Sequence, residues 1–111
     1  MEPGEALLTH LRRGTLEFCV LAVLRGGERY AVDLVTTLGA GGTLVTSEGT
    51  VYPLLARLRR DGLLATTWRE STSGPPRRYY RLTPEGEAAL ATFEKQWRRY
   101  RDAVDAVLET R

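Results

Sequence analysis

Leu64-Ala65-Thr66-Thr67-Trp68-Arg69-Glu70-Ser71-Thr72-Ser73-Gly74-Pro75-Pro76-Arg77-Arg78-Tyr79-Tyr80-Arg81-Leu82 is the stretch whose reading decides the fold. Leu64 to Glu70 carries Thr66, Thr67 and Trp68, and Arg77 to Leu82 carries Tyr79 and Tyr80. β-branched and aromatic side chains fit a pleated, half-buried surface, so both segments favour strand. Ser71 to Pro76 between them is turn chemistry throughout. Two strands around a glycine- and proline-rich loop predict a β-hairpin. The hairpin is also where the positive charge sits. Arg69, Arg77, Arg78 and Arg81 oppose Glu70 alone, a local +3 in a chain of 111 residues whose formal net charge is only +2.

Toward the N-terminus, Ser47 opens a well-signalled helix. Serine is a good N-cap, Glu48 suits the positive end of the helix dipole, and Gly62 is a C-terminal stop. Val51, Leu54, Leu55 and Leu58 have helical spacing, and Pro53, about one turn in, predicts a small kink or a tight first turn. Gly39 to Thr46, with three glycines, reads as a loop. Before it, Tyr30 to Leu38 is a short helix, and Leu11 to Leu24 is a longer one, too apolar for a single buried face and stopped by Gly26-Gly27. Residues 1–10 lack a pattern and are expected to be frayed or loosely docked. On the other side, Thr83-Pro84-Glu85 starts a last helix that runs almost to Arg111. Three helices, a two-stranded hairpin and a long helix give a mainly α chain with a β-hairpin. That is a winged helix-turn-helix over residues 1–82, with a C-terminal dimerisation helix over 83–111.

Composition narrows the function. The longest apolar run, Phe18 to Leu24, is seven residues, against the roughly 20 that cross a bilayer. No basic, apolar and small-residue sequence opens the chain as a signal peptide would. A cytoplasmic protein without a membrane partner is expected. The lone Cys19 and lone His10 supply neither a disulfide nor a metal cluster, and the Gly39–Gly42 loop lacks the lysine and hydroxyl of a phosphate loop. No enzyme, cofactor or metal is therefore expected. Cys19 reads as a small core residue, with a redox sensor as the alternative. Fifteen of the sixteen basic side chains are arginine, which forms multi-donor contacts to phosphate and guanine edges, although a GC-rich genome gives the same bias.

Double-stranded DNA is the partner these features suit. Ser47, Thr50 and Tyr52 on the first turns of the third helix, with Arg57 further along, are short donors and one phenol that let a helix end approach backbone and base edges. The alternative is that Ser47 only caps, Thr50 is solvated and Tyr52 packs on the hairpin. At the hairpin tip, Gly74 opens a stiff, small Gly74-Pro75-Pro76 segment beside Arg77 and Arg78. Two arginines there suit phosphate or the minor groove, although alternation points them to opposite faces.

The last helix carries Leu90, Phe93, Trp97, Tyr100, Val104 and Val107 at spacings of 3, 4, 3, 4 and 3. That is a heptad seam, and a seam needs a partner, here a second copy of the chain; the first helix, with Leu16, is the other candidate surface. Its middle is aromatic. Phe93, Trp97 and Tyr100 either pack as the dimer core or flank a gap for a small, flat aromatic effector. A protein-interaction adaptor, dimerising through the seam without DNA, is the rival function.

Three segments then carry a resemblance. Leu11-Arg12-Arg13-Gly14-Thr15-Leu16-Glu17, Ser47-Glu48-Gly49-Thr50-Val51-Tyr52-Pro53-Leu54-Leu55 and Gly74-Pro75-Pro76-Arg77-Arg78-Tyr79-Tyr80-Arg81-Leu82-Thr83 resemble the PadR family of bacterial transcriptional regulators over about residues 11–90. The resemblance implies a homodimeric repressor on an inverted-repeat operator, released by a small molecule. It also implies the shorter subfamily, which dimerises through the terminal and first helices. In one multidrug-binding branch of that subfamily a tryptophan of the terminal helix sandwiches flat aromatics, and Trp97 matches it in register from Leu82-Thr83. The family's Tyr-Gly-Tyr-Glu-Leu is Tyr30-Ala31-Val32-Asp33-Leu34 here, which leaves Tyr30 as that segment's implied DNA contact.

Overall fold

A computed structural model describes residues 2–44 and 47–110, with Glu48 described by its backbone alone. The helices are α1 (Pro3–Arg12), α2 (Leu16–Val23), α3 (Ala31–Gly39), α4 (Glu48–Arg60) and α5 (Pro84–Leu108). The strands are β1 (Arg29–Tyr30), β2 (Leu64–Ser71) and β3 (Gly74–Leu82), in one antiparallel sheet of order β1-β3-β2. A 3₁₀ turn, Leu24–Gly26, links α2 to β1.

The core is built where the apolar periodicities meet. Val20 and Leu21 of α2, Leu34, Val35 and Leu38 of α3, and Val51, Leu55 and Leu58 of α4 pack with Leu24, Leu64, Tyr80 and Leu90. Spacings of 4 and 3 put Val51, Leu55 and Leu58 on one stripe of α4, and all three are fully buried. Helix α4 ends in a Schellman motif. Gly62 has φ +79, its amide donates to the Arg59 carbonyl at 3.1 Å, and the Leu63 amide donates to the Leu58 carbonyl at 3.0 Å.

The start of α5 is fastened to that motif. The Thr83 hydroxyl accepts from the Gly86 amide at 3.0 Å, capping α5, and donates to the Gly62 carbonyl at 2.6 Å. The Thr83 amide donates to the Leu63 carbonyl at 3.2 Å. Gly86 lies so close that a Cβ built on it would stand 2.1 Å from the Leu63 carbonyl oxygen. Only glycine fits there.

The expected mainly α fold with a hairpin and a long last helix holds, with four corrections. The Leu11–Leu24 helix is broken: Gly14, at φ +79, turns the chain between α1 and α2, because glycine takes a left-handed conformation that other residues resist. Of the residues expected to be frayed or loosely docked, 3–10 are not frayed but lie in α1. That helix buries no side chain and is pinned by the Arg12 guanidinium donating to the Thr43 and Gly42 carbonyls at 2.8 and 3.2 Å. The sheet has a third strand, the two residues Arg29 and Tyr30 paired with Tyr80 and Tyr79. The wing is tighter than expected: the strands run to Ser71 and from Gly74, leaving only Thr72 and Ser73 as the turn. Pro75 and Pro76 are tolerated in β3 because β1 pairs only with Tyr79 and Tyr80, so the prolines have one neighbouring strand, not two. Of the expected Gly39–Thr46 loop, Val45 and Thr46 lie outside the described residues, as does Arg111 at the expected end of the last helix; α5 ends at Leu108.

Candidate nucleic-acid interface

Helix α4 presents its N-terminal turns to solvent. The Ser47 hydroxyl accepts from the Gly49 amide at 3.2 Å and so caps the helix. Thr50 and Tyr52 are exposed on either side of the buried Val51. At 3.6 residues per turn the side opposite Val51, Leu55 and Leu58 carries Gly49, Pro53, Ala56 and Arg60, all exposed. The sequence reading did not single out these four. The signal was present, since the apolar stripe fixes the opposite stripe, and three small side chains there let the helix axis approach a groove closely. The helix continues through Pro53; the missing amide forgoes the bond to the Gly49 carbonyl, one turn back. Arg57, one turn after Pro53, lies at the edge of this face. Its guanidinium holds the Glu17 carboxylate of α2 at 3.1 Å, a surface pair that ties the two helices together.

The hairpin sorts its arginines by face. Strand register pairs Arg69 with Arg77 and Trp68 with Arg78, so alternation places Arg69, Arg77 and Tyr79 on one face and Trp68 and Arg78 on the other. Each of three arginines lies over a ring. The guanidinium of Arg77 sits 4.7 Å from the Tyr30 ring centre, that of Arg78 4.7 Å from Trp68, and that of Arg69 5.3 Å from Tyr79. Tyr30 and Tyr79 are themselves neighbours, their ring centres 5.8 Å apart. Arg69 also pairs with Glu28. Gly74, exposed at the start of β3, faces Ser71 across the turn. Trp68, 60% exposed, was read only as a strand former; alternation opposite Arg78 would have marked it as a surface ring.

The seam residues of α5 divide. Leu90 is in the core of the chain itself, and Leu16 is half-buried against that core. Phe93 stacks on Phe18 of α2, ring centres 4.3 Å apart and 5° from parallel, and Trp97 follows at 6.1 Å from Phe93. Beyond them Tyr100 and Val107 are 67% and 73% exposed, and Val104 is also exposed. A groove of about 550 Å³ between α1 and α5 is lined by Leu8, Leu11, Cys19, Phe93, Trp97 and Tyr100. Burial pushes the Cys19 thiol up from its ordinary pKa. Phe18 was the missed member of this aromatic row.

The model of the transcriptional regulator PadR-like family matches residues 20–92, from mid-α2 through the wing into α5. The chain belongs to the PadR-like family. It is 37% identical over 83 residues to Transcriptional regulator Rv3488 of Mycobacterium tuberculosis, covering 75% of this chain and 76% of that protein. A PadR family transcriptional regulator from Eggerthella lenta superposes with a TM-score of 0.83 at 41% identity, covering 96% of this chain and 93% of its own. The fold is also that of Bacillus subtilis PadR, solved in complex with operator DNA, with a TM-score of 0.66 at 22% identity over 72% of this chain and 46% of that one. In this PadR-like chain the matched region contains α4 and the hairpin, with the arginines of both. It stops at Thr92, before Trp97 and the exposed end of α5. No helix among the described residues is long and apolar enough to cross a membrane.

Proposed function

We propose that this PadR-like regulator binds double-stranded DNA as a homodimeric repressor, with α4 in the major groove and the hairpin on the backbone. The observation that carries this reading is the exposed stripe of Gly49, Pro53 and Ala56 on α4 in a chain whose hairpin holds three arginines over rings. Small residues admit a base edge, and arginine supplies sequence-independent attraction to phosphate. Bacillus subtilis PadR, which has the same fold, was solved in complex with operator DNA, and that supports duplex DNA as the partner. Thr50, Tyr52 and Ser47 then flank the entering helix end, and Arg57 acts through its tie to Glu17 as well as by charge.

A second copy covers the open side of α5, from Phe93 through Val107, and the aromatic groove beside Trp97 takes a small, flat effector that alters DNA binding. Two half-sites then lie on successive turns, about 34 Å apart. Selection of bound duplexes from a randomised pool tests the reading: an enriched inverted repeat with that spacing is expected. Recovery of no enriched sequence would favour the adaptor reading, in which the seam binds protein alone. Titrating flat aromatic compounds against the selected duplex then reads the effector, whose expected mark is quenching of tryptophan fluorescence that is lost in Trp97→Ala.

A further inference from the structure

Tyr30 reaches the hairpin through a strand of only two residues, yet it sits at the centre of an ordered row. Glu28, Arg69, Tyr79, Tyr30 and Arg77 follow one another by an ion pair, a cation over a ring, two neighbouring rings and a second cation over a ring. The two ends of the row differ. Arg69 is held by a ring and by a carboxylate, so its donors already have an acceptor. Arg77 is held by a ring face at 4.7 Å, and no carboxylate of the described residues is in ion-pair reach of it. A π face attracts the cation without supplying an oxygen acceptor, which leaves guanidinium donors for an external anion.

We propose that Tyr30 is a positioning residue for DNA backbone binding: its ring holds the Arg77 guanidinium over the outer face of the hairpin, ready for a phosphate. The inference rests on the DNA-binding reading above and adds which arginine is prepared for the backbone and by what. An arginine at a hairpin has a long, freely rotating stem, and fixing it only on arrival of DNA loses rotamer entropy at that moment. A ring seat fixes much of it beforehand. The contact asks for a ring and not for the tyrosine hydroxyl, which separates it from direct hydrogen bonding by Tyr30 to phosphate.

The test uses the full chain and a short fluorescein-labelled duplex pool of random sequence, read by anisotropy across a salt series. Phosphate contacts are sequence-independent, so the random pool suffices. Wild-type affinity should fall with salt, and Arg77→Ala should reduce the slope of log K on log salt by about 0.9 per protomer engaged. Tyr30→Phe should match wild type. Tyr30→Leu should bind about two- to fivefold more weakly, the range of an exposed cation–π contact. Pentafluorophenylalanine at position 30, which keeps the ring's size and removes its negative face, should do the same and guards against misfolding of the leucine variant. Combined with Arg77→Ala, neither ring change should weaken binding further. Tyr30→Phe binding as weakly as Tyr30→Leu, additive losses with Arg77→Ala, or wild-type binding by the fluorinated chain would each overturn the positioning role while leaving DNA binding intact. Wild-type protein that ignores the duplex at every salt concentration would overturn both.

Discussion

The two ends of α5 obey one sequence pattern and meet opposite fates. At the near end Leu90 is 4% exposed in the core, while at the far end Val107 of the same seam is 73% exposed. Heptad spacing identifies a face; what covers that face depends on where the helix leaves the domain. The near end begins at the Thr83 cap, fastened to Gly62 and Leu63, so its first two turns lie on the core of the chain itself. The far end runs past the last packed ring, Phe93 on Phe18, into solvent.

Substitutions along the helix sharpen that contrast. The largest loss is expected for Leu90→Ala, about 3 kcal/mol of unfolding free energy in a denaturant titration, since a buried leucine leaves a cavity. Gly86→Ala should cost about 2 kcal/mol in the same assay, as overpacking against backbone does, because its new methyl meets the Leu63 carbonyl. An alanine at position 86 that left stability unchanged would mean that the junction yields. At the open end, Val104→Asp should preserve the helical circular dichroism and convert a dimer to monomers by light scattering. A variant that stays dimeric would move the interface to α1 and α2. The smallest effect belongs to Cys19, which borders the groove. Its raised pKa lowers the thiolate fraction at neutral pH, so alkylation should be slower than for an unfolded control and should accelerate as pH rises.

The parts of the fold that were legible in the sequence had a period or a cap. Ser47, Thr83 and Gly62 mark helix ends by chemistry that operates locally, and Val51, Leu55 and Leu58 repeat often enough to define a face. What escaped was short or tertiary. A strand of two residues, Arg29 and Tyr30, has no period to detect; its pairing is decided by Tyr79 and Tyr80, some fifty positions away. Gly14 stood inside a stretch, Leu11 to Leu24, that reads as one helix, and α1 buries nothing that would have tied its pattern to a core. The site was similarly divided. Thr50, Tyr52, Arg77 and Arg78 could be named from helix and strand positions. The seating of Arg77 on Tyr30 and the withdrawal of Arg57 to Glu17 depend on contacts between elements distant in sequence.

Gly86 has a further consequence. By letting α5 touch the turn that ends α4, it makes the angle between the two helices a fixed property of the chain, like the joint of a pair of callipers. In the proposed dimer, the separation of the two α4 helices is then set by that joint and by the register in which two α5 helices cross. A shift of one turn along the seam would change the gauge that the protein measures on DNA without altering any residue that touches it.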